Sequence, residues 1–294
     1  MLYDVNLHIS YLYDTPVSGG RHIVRVLPLS ISGRQRLVAG TVGVAPGPGE
    51  RVDHHDFFDN PMSAVLFRSQ HESLDIRMQA RVHVDTPEPV ADFSPLVADL
   101  PEEIAGYWSL DAGSPHHFTG PSPRLGDCRE IAEYARALAR PGMTIRAVAT
   151  AICARIHKDF TYDPEATGVD TTPREAFKLK RGVCQDFSHV MIVALRSLGI
   201  PAGYVSGFLR TIPPPGKERL EGADAMHAWV WFWCGRVNGW MELDPTNDIP
   251  AGTDHIVVAY GRDYADVAPV IGVLKGYGQH RTTQAVDVIP VRQP

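Results

Sequence analysis

The first part of the chain alternates between apolar and polar side chains in short runs. Turn-forming clusters such as Ser18-Gly19-Gly20 and Pro46-Gly47-Pro48-Gly49 separate these runs. Several short strands at regular spacing, with turn residues between them, are typical of a β-sandwich. The predicted strands are Tyr3–Tyr13, His22–Leu29, Arg36–Val44, Ser63–Arg68 and Leu74–Val84.

The pattern changes after residue 85. Proline and acidic residues are frequent up to residue 126 and periodicity is poor, which predicts a linker with one short helix over a domain junction. Helical spacing of apolar residues follows in Asp127–Ala139 and in Thr144–Lys158, the second starting at a capping threonine. We therefore expect an N-terminal β-sandwich domain with linker over residues 1–120 and a second domain over residues 121–294.

The segment Arg181–Pro201 predicts a buried helix. Its apolar residues from Phe187 to Leu198 recur at i, i+3, i+4, i+7, i+8 and i+11, which is the inward stripe of a helix. Gly199 lies where a helix commonly ends, and Pro201 prevents continuation. Strands are expected next at Ala202–Arg210, Ala225–Trp233, Arg236–Leu243, His255–Tyr260 and Gln284–Val291, with a loop at Thr211–Asp224 that could gate a cleft.

Composition narrows the choice of partners and compartment. The 294 residues are 44% hydrophobic and 21% charged, with a net charge of -6. This acidic balance argues against nucleic acid or an anionic membrane as partner. The N-terminus lacks a signal-peptide pattern and no stretch is long enough to span a bilayer, so we expect a cytoplasmic protein. The four cysteines form no CxxC pair. The oligomeric state is left open.

Cys184 is the candidate nucleophile. Counting back three residues from Phe187 places it on the inward side of the predicted helix, in its first turn. Free backbone N–H groups and the helix dipole favour a thiolate there, and the thiolate is the nucleophilic form of cysteine. The same amides can donate to an oxyanion. The alternative for a lone cysteine is an inert core thiol.

His227 and Asp244 are the candidate partners of this thiol. His227 lies on a strand whose alternation puts it on one face with three tryptophans. A turn between Gly235 and Gly239 brings positions 244 to 246 opposite His227, a range that includes Asp244. A carboxylate there can fix the tautomer and orientation of the imidazole. The alternatives are a packed core histidine and an Asp-Pro turn.

Three segments carry a family resemblance. The stretches RGVCQDFSHVMIVALRSLGIPAGYVSGFL, MHAWVWFW and GWMELDPTN resemble the catalytic-core blocks of the transglutaminase-like superfamily, bacterial branch. YDTPVSGGRHIVRVLP and DFFDNPM resemble the β-rich region that precedes this core in bacterial members, and DHIVVAYGRDYADVAPVIGV resembles the C-terminal segment. One departure is Asp59, where we expect glycine before Asn60. We expect it to alter a turn and to leave the chemistry intact.

The resemblance implies a papain-like α+β core with Cys184, His227 and Asp244 as its catalytic triad. It implies acyl transfer at protein or peptide amide bonds and does not separate hydrolysis by a cysteine protease or amidase from transamidation by a transglutaminase. We favour hydrolysis. A non-catalytic peptide-binding module is the alternative from another class.

The remaining polar residues receive structural interpretations. Asp186 is expected to support the helix start, His189 to be packed on the helix, and Tyr162 to be structural rather than a donor in the cleft. No cofactor or metal site is predicted, because neighbouring residues on a strand point apart and no ligand cluster completes the pairs His54-His55 and His116-His117. No second oxyanion donor is identified.

Overall fold

The computed structural model describes residues 1–88, 90–211, 222 and 224–291. The N-terminal region contains β1 (Leu2–Val24), β2 (Gln35–Ala45), β3 (Glu50–His55), β4 (Pro61–Leu66) and β5 (His71–Val84). A connecting segment follows with α1 (Leu100–Ala105), which lies between 3₁₀ turns at Val97–Asp99 and Pro115–Phe118. The rest comprises α2 (Arg129–Leu138), α3 (Ile145–Asp159), β6 (Thr161–Tyr162), α4 (Pro173–Leu179), β7 (Arg181–Gly182), α5 (Cys184–Arg196), β8 (Ala202–Leu209), β9 (Ala225–Trp233), α6 (Gly235–Asn238), β10 (Trp240–Asp244), β11 (Ile249–Pro250), β12 (His255–Gly261), α7 (Tyr264–Val267), β13 (Val270–Lys275) and β14 (His280–Pro290).

The predicted all-β region is present as one curled sheet of seven strands. The long strand β1 holds it together: residues 2–12 pair with β5 and β14, and residues 18–24 pair with β4 and β13. The prediction of a turn at Ser18-Gly19-Gly20 was wrong. The strand continues through this segment with a shift in register, and Gly19 takes a φ of 61° there. Such irregularities increase the twist of a strand, which lets β1 serve both halves of the sheet.

The chain returns to the first sheet at its end. Strands β13 and β14 both pair antiparallel with β1, and β13 was not predicted. The domain boundary at residue 120 stays a prediction. It placed residues 270–290 in the second domain, whereas their strands extend the N-terminal sheet. The predicted loop Thr211–Asp224 lies largely outside the described residues.

The second sheet carries the predicted helix on one face. Its antiparallel order is β11-β10-β9-β8-β12, and α5 packs against β8 and β9. The apolar stripe of α5 is buried as predicted, but every residue from Gln185 to Leu195 is buried as well. This is because α2, α3 and α4 surround the helix on its other sides. A helix enclosed in this way holds its first residue in a fixed position.

The N-terminal region contacts the second sheet through two amide side chains. Gln35 donates from Nε2 to the Val257 carbonyl at 2.8 Å and accepts from the Val257 N–H at 2.8 Å. Asn60 does the same at Tyr260, with distances of 2.7 and 2.8 Å. Both amides therefore hydrogen-bond backbone N–H and C=O groups on the outer edge of β12, which no other strand in the described part of this sheet pairs.

Candidate active site

Cys184 is the first residue of α5, as predicted. The backbone N–H of Val183, the residue before it, donates to Asp186 Oδ2 at 2.8 Å, so Asp186 supports the helix start as expected. Thr167 donates to the same oxygen at 2.6 Å. Burial raises the pKa of Asp186 against these hydrogen bonds. A Cβ atom on Gly182 would lie 2.4 Å from Asp186 Oδ2, so only glycine fits before this turn.

His227 and Asp244 lie together on β9 and β10. In the antiparallel register of these strands, Trp240 lies opposite Trp233 and Leu243 lies opposite Val230. Extending this register places position 246 opposite His227. This agrees with the predicted range of 244 to 246. His227 Nε2 donates to Asp244 Oδ2 at 2.8 Å, and both side chains are buried.

The Asp244 carboxylate is held by several donors. Oδ2 also accepts from Asn247 Nδ2 at 2.6 Å, and Oδ1 accepts from the backbone N–H groups of Thr246 and Asn247 at 2.9 and 3.3 Å. Burial alone would raise the pKa of Asp244, but the hydrogen bonds from His227, His255 and Asn247 outweigh it and lower that pKa. The group is therefore a carboxylate.

The His227 imidazole interacts with both of the other predicted site residues. Its Nε2 bonds Asp244 at 2.8 Å, and Cys184 is near enough to raise the pKa of the ring. Burial would lower the pKa of His227, but the hydrogen bond to Asp244 and the interactions with Cys184 and with the Asp244 charge raise it. The arrangement therefore favours the imidazolium form of His227.

Tryptophan packing fixes the His227 ring from one side. Trp229 is fully buried and stacks on His227 with an interplanar angle of 28°. Its Nε1 donates to Glu242 Oε2 at 2.5 Å. A Cβ on Gly207 would lie 2.4 Å from the Trp229 ring, so the glycine makes room for it. Trp229 and Trp231 belong to one apolar cluster, whereas Trp233 belongs to the larger core.

Access to the thiol differs among the four cysteines. Cys184 is partly exposed, while Cys128, Cys153 and Cys234 are buried. Tyr162, on β6, pairs with Gly182 and lies near Cys184: partial burial and the charge of Cys184 both raise its pKa. Its side chain is 57% exposed, so this part of the site is open to solvent. Sequence reasoning did not anticipate this proximity.

His255 is the polar residue of this site that sequence reasoning missed. Its Nε2 lies 3.2 Å from Asp244 Oδ2, and its ring meets Trp229 edge-on. Together with His227 and Asp244 it forms the one group of three possible metal ligands among the described residues. Hydrogen bonds already account for how the three side chains meet. The sequence offered two signals for this segment, a predicted strand at His255–Tyr260 and the family resemblance of DHIVVAY, but neither gave His255 a role at the site.

His189 is packed within the core as expected, and the two neighbouring histidine pairs lie outside the candidate site. His189 is buried, its Nε2 accepts from the Tyr264 N–H at 3.3 Å, and burial lowers its pKa to about 4. His54 and His55 are exposed on β3. His116 and His117 bond backbone carbonyl oxygens of the connecting segment.

Comparisons with known proteins agree with this arrangement. A model of the Transglutaminase-like superfamily matches residues 132–245, and a model of the Bacterial transglutaminase-like N-terminal region matches residues 3–83. Uncharacterized protein Rv2569c of Mycobacterium tuberculosis is 35% identical, over 87% of this chain and 83% of that protein. The chain belongs to the transglutaminase-like superfamily. Uncharacterized protein ML0607 of Mycobacterium leprae is 31% identical over 95% of each.

A solved structure of another protein shows the same fold. The protein named "Putative Cysteine Protease" from Cytophaga hutchinsonii aligns with a TM-score of 0.76, covering 100% of this chain and 92% of that chain at 20% identity. The α+β prediction, a transglutaminase-like core preceded by an all-β region, is confirmed. None of the helices described here has both the length and the apolar composition to cross a bilayer.

Proposed function

We propose that this superfamily member is a thiol acyl-transfer enzyme that hydrolyses amide bonds of proteins or peptides. The observation that carries the proposal is the buried His227–Asp244 hydrogen bond of 2.8 Å near Cys184, the one partly exposed thiol, which raises the pKa of His227. A nucleophile, a base and an orienting group at one site are the requirements of covalent acyl transfer.

The first half of the reaction forms a thioester. The Cys184 thiolate attacks the carbonyl carbon of a carboxamide, and the tetrahedral oxyanion accepts from the backbone N–H of Cys184, which as the first residue of α5 has no intrahelical acceptor. The C–N bond then breaks, and the His227 imidazolium gives its proton to the departing amine or ammonia. Asp244 keeps the imidazole in place throughout.

The second half releases the acyl group. A water molecule attacks the thioester carbon while His227 takes its proton, and the C–S bond breaks to give a carboxylic acid and regenerate the ion pair. Solvent exposure beside the thiol supports water as acceptor, since Tyr162 is more than half exposed there. A protein or peptide substrate and a cytoplasmic location stay predictions within this proposal.

The test uses a peptide mixture that contains glutamine side chains, incubated with the enzyme and a fluorescent primary amine. Mass spectrometry separates cleaved peptides, deamidated glutamine and amine adducts. We expect hydrolytic products with the wild type and none with Cys184→Ala, while Cys128→Ala, which removes a buried thiol, keeps the activity.

Three other outcomes contradict the proposal. Equal product formation by Cys184→Ala would remove the thiol from the mechanism. Amine adducts in large excess over hydrolysis would make the enzyme a transglutaminase. Peptide binding without any product, together with a thiol that iodoacetamide does not label, would make the chain a binding module.

A further inference from the structure

The buried face of the second sheet brings a second histidine to the Asp244 carboxylate. His255 is 1% exposed and begins β12, three strands away from β10 in the sheet order. Between His255 and Asp244 lie strands β8 and β9. On these strands His227 pairs with Gly207, and Gly207 pairs in turn with Val257 of β12, so the three residues form one row across the sheet. Since Gly207 has no side chain, the Trp229 ring fills this row, and His255 packs on that ring at 5.1 Å between centroids.

The hydrogen bonds of His255 define its tautomer. The backbone N–H of Gly252 donates to His255 Nδ1 at 3.2 Å, so Nδ1 carries a lone pair. The ring proton is therefore on Nε2, which points at Asp244 Oδ2 at 3.2 Å. His255 is therefore a hydrogen-bond donor to Asp244.

Both histidines donate to the same oxygen. Asp244 Oδ2 accepts from His227 at 2.8 Å and from His255 at 3.2 Å. The backbone donors of the turn go to Oδ1, so they do not by themselves aim Oδ2 at His227. Asn247 and His255 supply the two further side-chain donors to Oδ2, and His255 comes from a different strand.

We propose that His255 is a positioning residue that holds the Asp244 carboxylate in the orientation His227 requires. The proposal rests on the proposed function of Cys184, because it concerns the imidazolium that supports the thiolate. In its absence the carboxylate can rotate toward Asn247, the His227–Asp244 bond lengthens, and the imidazolium loses the group that stabilises it.

Two substitutions separate the two hydrogen bonds of His255. The amide of His255→Gln extends as far as Nε2 and keeps a donor for Asp244. The shorter side chain of His255→Asn keeps an acceptor near the Nδ1 position for Gly252 but is too short to reach Asp244. Glutamine and asparagine are similar in polarity, so a difference between the two variants reports on the hydrogen bond from position 255 to Asp244.

The readout is the rate at which iodoacetamide alkylates Cys184, measured by peptide mass spectrometry and expressed as the rate at pH 6 divided by the rate at pH 10. Ordinary thiols, with pKa near 8.5, are largely ionised at pH 10 without assistance. The ratio therefore cancels changes in access or in the folded fraction. For His255→Asn we expect a ratio at least 10-fold below that of the wild type, which corresponds to the loss of one hydrogen bond to a charged group. For His255→Gln, which keeps that hydrogen bond, we expect a ratio within about 3-fold of the wild type.

Equal ratios in the two variants would overturn the positioning role while leaving the proposed function intact. Failure of the proposed function has a different signature. The wild-type ratio would then equal that of glutathione and would not change in His227→Ala, which overturns both proposals.

Discussion

The contact between Gln35 and β12 gives a sharp test of how the N-terminal region supports the site. Gln35 is 2% exposed and Val257 is fully buried. The Gln35 amide accepts from the Val257 N–H at 2.8 Å and donates to the carbonyls of Val257 and Leu29 at 2.8 and 2.9 Å. The substitution Gln35→Leu keeps the volume and removes all three bonds.

The expected loss of unfolding free energy follows from the backbone groups that Gln35→Leu leaves without a hydrogen-bond partner. The Val257 carbonyl still accepts from the Leu29 N–H at 3.0 Å, so the Val257 N–H is the group without a partner. A buried N–H without an acceptor costs about 2 kcal/mol, and each of the two other lost bonds contributes about 0.5 kcal/mol. The total is about 3 kcal/mol. An unfolding entropy of about 2.1 cal/mol/K per residue gives about 0.6 kcal/mol/K for 294 residues, so Tm falls by about 5 °C if the chain unfolds as one unit.

The assay is differential scanning calorimetry of the wild type, Gln35→Leu and the matched control Gln70→Leu. Gln70 is exposed, and surface substitutions of this kind are usually within ±0.5 kcal/mol. If Gln35→Leu melts within 1 °C of Gln70→Leu, the amide does not stabilise the edge of β12, and apolar contacts alone hold the two regions together.

Three further predictions test single residues. Asp244→Asn should lower hydrolysis about 10²- to 10⁴-fold, because an amide does not stabilise the His227 imidazolium, and steady-state kinetics on a cleaved peptide checks this. Asp59 has a φ of 63°, so Asp59→Gly should raise the free energy of unfolding by about 1 kcal/mol in urea titrations. Burial lowers the pKa of His189 to about 4, against 6.5 in the unfolded chain. The unfolded state therefore binds the proton more tightly between these values, and stability should fall by about 3 kcal/mol from pH 7 to pH 4. A His189→Asn variant should lose most of that pH dependence.

The local patterns of the sequence predicted the elements that carry the candidate site. Apolar spacing located α5 with Cys184 at its start, and the Gly235–Gly239 turn set the register that brings His227 near Asp244. These features depend on contacts between residues close in sequence. The catalytic roles of the three residues stay predictions until a reaction is measured.

The features that sequence reasoning missed depend on residues far apart in the chain. His255 meets Asp244 only after β12 has paired with β8, and β14 pairs with β1 across more than 260 residues. Alternation predicts that a strand exists but not which strand lies beside it. The burial of the polar face of α5 likewise depends on three other helices.

The N-terminal region reaches the candidate site along two routes. Arg34 pairs with Glu242, which accepts from Trp229 Nε1 at 2.5 Å, and Trp229 stacks on His227. Gln35, the next residue, holds β12 at Val257, two residues from His255.

Both routes end on the two histidines that bond Asp244 Oδ2. Packed side chains and hydrogen-bonded networks transmit displacements because they have few alternative arrangements. A substitution at Arg34 or Gln35 should therefore lower the pH 6 to pH 10 alkylation ratio of Cys184 as well as Tm. A loss of Tm with an unchanged ratio would limit the N-terminal region to stability alone.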